Sequence, residues 1–133
     1  MQRYLADTHI VYWWRTAPQK LSREQRRVLD FHERLGQPIF LSAITLLEIA
    51  VNYGIGNRKY KASAERMLES LETDPLIQML ALSYEITTEV AAIGDSLRDP
   101  MDRAIVATAR VHRLTLITSD ERIIKSKLVK IID

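Results

Sequence analysis

At 133 residues, 47% hydrophobic and 27% charged, the chain suits one α/β domain with a core of its own. Nineteen Lys and Arg against seventeen Asp and Glu leave a formal net charge of +2, which excludes a general polycation that coats nucleic acid but leaves room for a local basic patch. The lack of cysteine excludes disulfides and thiolate metal sites; with no signal-peptide pattern or long apolar run near the start, the expected setting is the cytoplasm, away from membranes.

No repeat, linker or low-complexity stretch interrupts the sequence, so residues 1–133 are expected to form a single domain. Arg3-Tyr4-Leu5-Ala6-Asp7 reads as a short strand ending at a carboxylate, and Ile10 to Trp14 as a first helix. Leu21 to Leu35 carries Val28, Leu29 and Leu35 on a partly apolar face, until Gly36 and Pro38 stop it before the strand-like Ile39-Phe40-Leu41. Ala43 to Ile55 is an apolar helix with one charge, Glu48, and Ser42 is its expected N-cap. Helical spacing sets Ile44, Leu47 and Val51 on the face of Glu48. A polar helix over Tyr60 to Glu72 ends at Asp74-Pro75. Leu76 to Leu82 is a third strand, and a helix follows over Tyr84 to Ile93. Asp99-Pro100-Met101-Asp102 opens an apolar helix through Ala109, Leu114 to Ile117 is a strand ending at Ser119-Asp120, and Val129 to Ile132 is the last strand.

This alternation predicts a three-layer α/β/α fold around a parallel sheet of about four to five strands. Sites in such sheets lie at the C-terminal strand ends, where Asp7 and Asp120 fall. Glu48 and Asp102 lie in otherwise apolar helices. Each acid has an ordinary explanation: Asp7 and Asp120 as turn residues, Asp99 and Asp102 as helix caps, Glu48 as a surface residue or an Arg partner. Their recurrence at the same kind of place favours a cluster instead. Converging carboxylates repel unless cations lie among them, and an all-oxygen donor set suits Mg²⁺ or Mn²⁺, ions that activate water for phosphoryl chemistry.

Four segments carry a resemblance over nearly the whole chain: Leu5-Ala6-Asp7-Thr8-His9, Leu41 through Ala50 around Glu48, Asp99-Pro100-Met101-Asp102-Arg103, and Leu116-Ile117-Thr118-Ser119-Asp120. In this order and spacing the chain resembles the PIN-domain family, and within it the VapC-like toxins of type II toxin–antitoxin systems. The resemblance implies catalytic and metal-binding roles for Asp7, Glu48, Asp102 and Asp120, with Asp99 as a further metal-binding acid and Thr8 and Ser119 as nearby hydroxyls. Asp99 and Asp102 compete as the closer ligand, and the register before Ile105-Val106-Ala107 favours Asp102. It also implies a Mg²⁺- or Mn²⁺-dependent endoribonuclease acting on RNA, a homodimer, and an antitoxin with which it forms larger hetero-oligomers. Met101 stands where the family often has an aromatic residue, and Leu97 where it often has histidine.

An RNA-processing PIN nuclease without an antitoxin and a non-catalytic, RNA-binding PIN fold are the alternatives. A receiver-type signalling domain would need an acid at the end of the third strand, where this chain has Leu80-Ala81-Leu82. Arg23, Arg26 and Arg27 read as a solvated helix face, with RNA phosphates as the other possibility. Trp13, Trp14 and Tyr53 are candidates for the core or for a partner's groove. His9 is read as a hydrogen-bonded neighbour of the acids, and Arg103 as an i,i+4 partner of Asp99.

Overall fold

In a strand buried on both sides, successive side chains point to opposite faces, and three strands of this chain divide their residues in that way. A computed structural model describes residues 2–54 and 58–133; residues 55–57 and the side chains of 53–62 lie outside the described residues. In β1 (Tyr4–Ala6), β2 (Ile39–Ser42) and β4 (Thr115–Ile117), Leu5, Phe40 and Leu116 enter one apolar cluster. Ala6, Ile39, Leu41 and Ile117 enter a second cluster.

Helices cover both faces. The first cluster is completed by α5 (Tyr84–Ile93), α6 (Pro100–His112) and α7 (Glu121–Ser126), through Ile86, Ile93, Ile105 and Ile123. The second is completed by α1 (Thr8–Thr16), α2 (Arg23–Leu35), α3 (Ala43–Gly54) and α4 (Arg58–Thr73), through Ile10, Val28, Leu29, Ile49 and Leu71. With β3 (Ile77–Leu80) and β5 (Ile131–Ile132), the sheet has five strands in the order β3-β2-β1-β4-β5. Every pairing is parallel. This is the expected three-layer α/β/α architecture.

Local signals account for most boundaries. Ser22 and Gln25 form a reciprocal capping box at the start of α2, and Gly36, at φ 64°, ends that helix in the left-handed region that glycine adopts without steric cost. The hydroxyl of Ser42 accepts from the Ile44 amide at 3.0 Å, the capping role expected of it. The helix α7 was not foreseen: six residues with one fully buried side chain, Ile123, are too few to show a period. The end of the expected 43–55 helix falls on residues outside those described.

The strand order also locates the crevice. From β1 the chain moves outward to β2 and β3, then returns to the other side of β1 to form β4 and β5. The switch point therefore lies between β1 and β4, and ligands of open parallel sheets bind beyond the strands' carboxyl ends at that point.

Candidate active site

Asp7 follows the last residue of β1 and is tied to β4 by its amide, which donates to the Ile117 carbonyl at 2.9 Å. Its side chain is 4% exposed. One carboxylate oxygen accepts from the Thr8 amide at 2.8 Å, capping α1, and the other from the Thr118 hydroxyl at 2.7 Å. The register explains the second bond: Leu5 pairs with Leu116 and Ala6 with Ile117, so Asp7 and Thr118 are the next neighbours on the same side of the sheet. Thr118 is itself fully buried, and its oxygen accepts from the Asp120 amide at 3.1 Å, so one hydroxyl fixes Asp7 and the turn that carries Asp120.

A second hydroxyl chain reaches Glu48. Thr8 Oγ1 lies 2.7 Å from Glu48 Oε1 and 3.0 Å from Thr45 Oγ1. A hydroxyl has one proton and a carboxylate only accepts, so Thr8 donates to Glu48 and the fully buried Thr45 donates to Thr8. Glu48 is half-buried. Burial raises its pKa above the usual range; the Thr8 hydrogen bond opposes this, and the charges of Asp7 and Asp99 add to it. The apolar setting expected from helical spacing is corrected here, because Leu47 and Val51 are 45% and 44% exposed. Glu48 borders Thr45 and Ile49, the fully buried side chains of α3 among the described residues, while Ile44 and Leu46 pack partly against the core.

Asp99 and Asp120 are N-caps. Asp99 Oδ1 accepts from the amides of Met101 at 2.8 Å and Asp102 at 3.3 Å, opening α6. Asp120 Oδ1 accepts from Arg122 at 2.9 Å and Ile123 at 3.4 Å, opening α7. The Oδ2 atoms of both accept nothing among the described residues. Asp102, one turn into α6, has no side-chain hydrogen bond among the described residues and is half-buried. Its pKa is pushed up to about 7, first by burial and then by the charges of Asp99, Asp120, Asp7 and Glu48. The other four acids named from the sequence thus all lie near enough to Asp102 for their charges to act on it.

Among the described residues, no three Asp, Glu, His or Cys side chains are gathered closely enough to hold a metal ion by themselves; the group these donors would fit is a hard cation that keeps much of its water and takes one or two carboxylates directly, as Mg²⁺ does. A set of oxygen donors made costly by burial and mutual repulsion fits such a group, because a cation removes the cost.

Neighbouring residues divide between expected and corrected placements. His9 is the hydrogen-bonded neighbour expected: Nδ1 lies 3.5 Å from Asp7 Oδ2, Nε2 accepts from the Ser119 amide at 3.0 Å, and Trp13 packs edge-on at 4.9 Å. The hydroxyl of Ser119, next to Asp120 in the chain, accepts from Gln25 Nε2 at 2.8 Å. Thr118 and Thr45 were missed because their partners are remote in sequence. Arg103 does not pair with Asp99; its guanidinium donates to the carbonyl of Leu97 and, at 3.1 Å, to that of Arg98. Two carbonyls turned inward before α6 need donors, while Asp99 is already engaged by the helix. Arg26 donates to the Pro18 carbonyl at 2.8 Å and Arg27 pairs with Glu24, as a structural helix face would. Trp13 and Trp14 both pack partly against the core. The side chain of Tyr53 lies outside the described residues. An apolar groove of about 650 Å³ opens between α3 and α4, lined by Leu46, Leu47, Ala50, Leu68, Leu71 and Met79 among others.

The acids thus lie where ligands of open parallel sheets bind, beyond the carboxyl ends of the strands at the switch point. The chain belongs to the PIN domain family, whose model matches residues 4–127. It is 31% identical over 131 residues to ribonuclease VapC22 of Mycobacterium tuberculosis, a match covering 92% of this chain and 91% of that protein. Its fold is similar to that in the VapBC2 complex of Rickettsia felis bound to a promoter DNA fragment, with a TM-score of 0.75 at 14% identity over 98% of both chains. It is also similar to that in FitAcB of Neisseria gonorrhoeae, with a TM-score of 0.68 at 24% identity over 98% of this chain and 96% of the other.

Proposed function

We propose that this chain is a Mg²⁺- or Mn²⁺-dependent endoribonuclease that acts in the cytoplasm as the toxin of a type II toxin–antitoxin pair. The observation that carries the reading is Asp102 near the switch point of the sheet, a half-buried aspartate whose pKa is pushed up to about 7 by burial and then by the charges of four other carboxylates. The ribonuclease relative supports RNA as the substrate. The likeness to the VapBC2 fold, together with the apolar groove beside α3, supports a protein partner. A homodimer, joined to its antitoxin in a larger assembly, is the expected form, and residues 1–133 are taken as a single PIN domain.

In this mechanism Asp7, Glu48 and Asp102 would hold the cation, with Asp120 and Asp99 as further acids near it. A bound Mg²⁺ or Mn²⁺ supplies an acidified water as nucleophile and neutralises charge on the phosphate. Thr118 and Thr8 act as positioning residues, holding the Asp7 and Glu48 carboxylates in place through their hydroxyls. Thr45 in turn orients Thr8. The acids keep anionic RNA out of the crevice until a cation offsets their charge.

The test is cleavage of RNA by the purified chain, freed of antitoxin. Cleavage is expected with Mg²⁺ or Mn²⁺ and not in EDTA, with 5′-phosphate ends on the products. Unchanged cleavage in EDTA, or products with 2′,3′-cyclic phosphates, would refute the mechanism. For the partner, co-expression of the adjacent antitoxin gene should restore growth, and failure to restore it would favour RNA processing without an antitoxin.

A further inference from the structure

A cavity of about 420 Å³ is lined by the carboxylates Asp95, Asp99 and Asp102 and by the cations Arg98, Arg122 and Lys125, among others. That volume falls within the range of about 300–1,000 Å³ typical of ligand sites. Arg122 and Lys125 are three residues apart on α7 and so share a face. Lys125 is engaged by Glu121 at 3.8 Å. Arg98 and Arg122 have no ion pair and no side-chain hydrogen bond among the described residues.

An arginine at the surface ordinarily has nothing to explain, but these two are held by anchored backbone. Arg98 stands between Leu97, 4% exposed, and the helix cap Asp99, and its own carbonyl is held by Arg103. The Arg122 amide is bound by Asp120, and the next residue, Ile123, is fully buried. Each arginine therefore leaves the backbone at a fixed point within two residues of a site acid. With no partner of their own among the described residues, both cations remain available to an anion in the cavity.

We propose that Arg98 and Arg122 form a phosphate subsite, which holds a backbone phosphate of the RNA next to the one being cut and thereby sets the direction in which the strand crosses the acids. The proposal rests on the ribonuclease reading above. RNA fits better than an acidic peptide, because only a chain of regularly repeated anions places one charge on the arginines and the next beside acids that take a cation. Guanidinium groups suit the subsite, being able to offer two parallel N–H donors to one phosphate.

The test uses the full chain and a fluorescent single-stranded RNA, with Ca²⁺ replacing Mg²⁺, and follows anisotropy between about 50 and 200 mM salt. Arg98→Gln and Arg122→Gln should each weaken binding about tenfold and lower the slope of log K against log salt by about 0.7. Arg122→Lys should restore the slope but only part of the affinity. Arg34→Gln, at the opposite end of α2, should change neither. The rise in melting temperature on adding Mn²⁺ should be the same in all variants, which shows that the acids are undisturbed. A double Arg98→Gln, Arg122→Gln variant with wild-type affinity and slope overturns the subsite alone. Wild type that binds no RNA when the cation is present overturns the subsite and the ribonuclease reading together.

Discussion

Asp102→Asn removes the charge on which the other four carboxylates bear most heavily, and its effect on stability follows from the geometry. Asp102 has its pKa pushed up from 3.8 to about 7. A shift of about three units corresponds to about 4 kcal/mol at most. Because the side chain is only half-buried, solvent screening reduces this to about 1–2 kcal/mol. The sign follows from linkage: the folded chain binds this proton more tightly than the unfolded one, so the contribution to stability is full below about pH 4 and is lost as pH rises through about 7. In EDTA the variant should therefore melt at the wild-type temperature near pH 4. By pH 8 it should melt roughly 3–8 °C higher. Mn²⁺ should reverse the order at pH 8, because wild type gains from binding and the variant gains little. The readout is differential scanning calorimetry at pH 4, 6 and 8, with and without Mn²⁺. A constant difference between the two proteins across this range in EDTA would refute the claim that the acids converge on Asp102.

Glu48→Gln should abolish cleavage and most of the Mn²⁺-induced stabilisation while leaving the far-ultraviolet circular dichroism unchanged; full activity together with full stabilisation would remove Glu48 from the site. Asp99→Asn, which retains the cap on α6, should keep more activity than Asp102→Asn, and Asp99→Ala should in addition lose about 1 kcal/mol of stability in urea melts. If Asp99→Asn is as inactive as Asp102→Asn, the assignment of the closer ligand is reversed. Thr8→Val removes the proton donor to Glu48 and should lower kcat roughly tenfold, with the alkaline rise of the pH–rate profile moved upward as Glu48 becomes harder to ionise; Thr8→Ser should restore both.

The layered fold was legible because each strand sorts its own residues: Leu5 against Ala6, and Leu116 against Ile117, are local alternations that need no knowledge of the partner strand. Pairing between strands is another matter. Thr118 reads as a turn residue until β4 is known to lie beside β1 in register with Leu5 and Ala6; only then does its hydroxyl fall next to Asp7. Thr45 reads as a mild interruption of an apolar helix until Thr8 is brought against it. Arg103 shows the converse error, in which a nearby acid was the obvious partner but was already committed to the helix, while the loop carbonyls had a greater need. Glu48 was singled out for a partly wrong reason, since two of the apolar residues placed around it face solvent.

The two explanations weighed for the acids, helix cap and site residue, are not exclusive. Asp7, Asp99 and Asp120 each follow a strand or loop and begin a helix, so backbone amides stabilise their charge whether or not a cation is bound. In Asp99 and Asp120 the cap takes one oxygen and leaves the other for the crevice. Burial, and then the neighbouring carboxylates, raise the pKa values of Glu48 and Asp102; Asp102 has no hydrogen bond among the described residues to offset this, and Glu48 has a single hydroxyl. Caps that stabilise charge surround two acids that are poorly stabilised, and the strain is confined to the pair best placed to gain from a cation. Substituting the caps therefore tests the fold as well as the site, whereas substituting Glu48 or Asp102 tests the site almost alone.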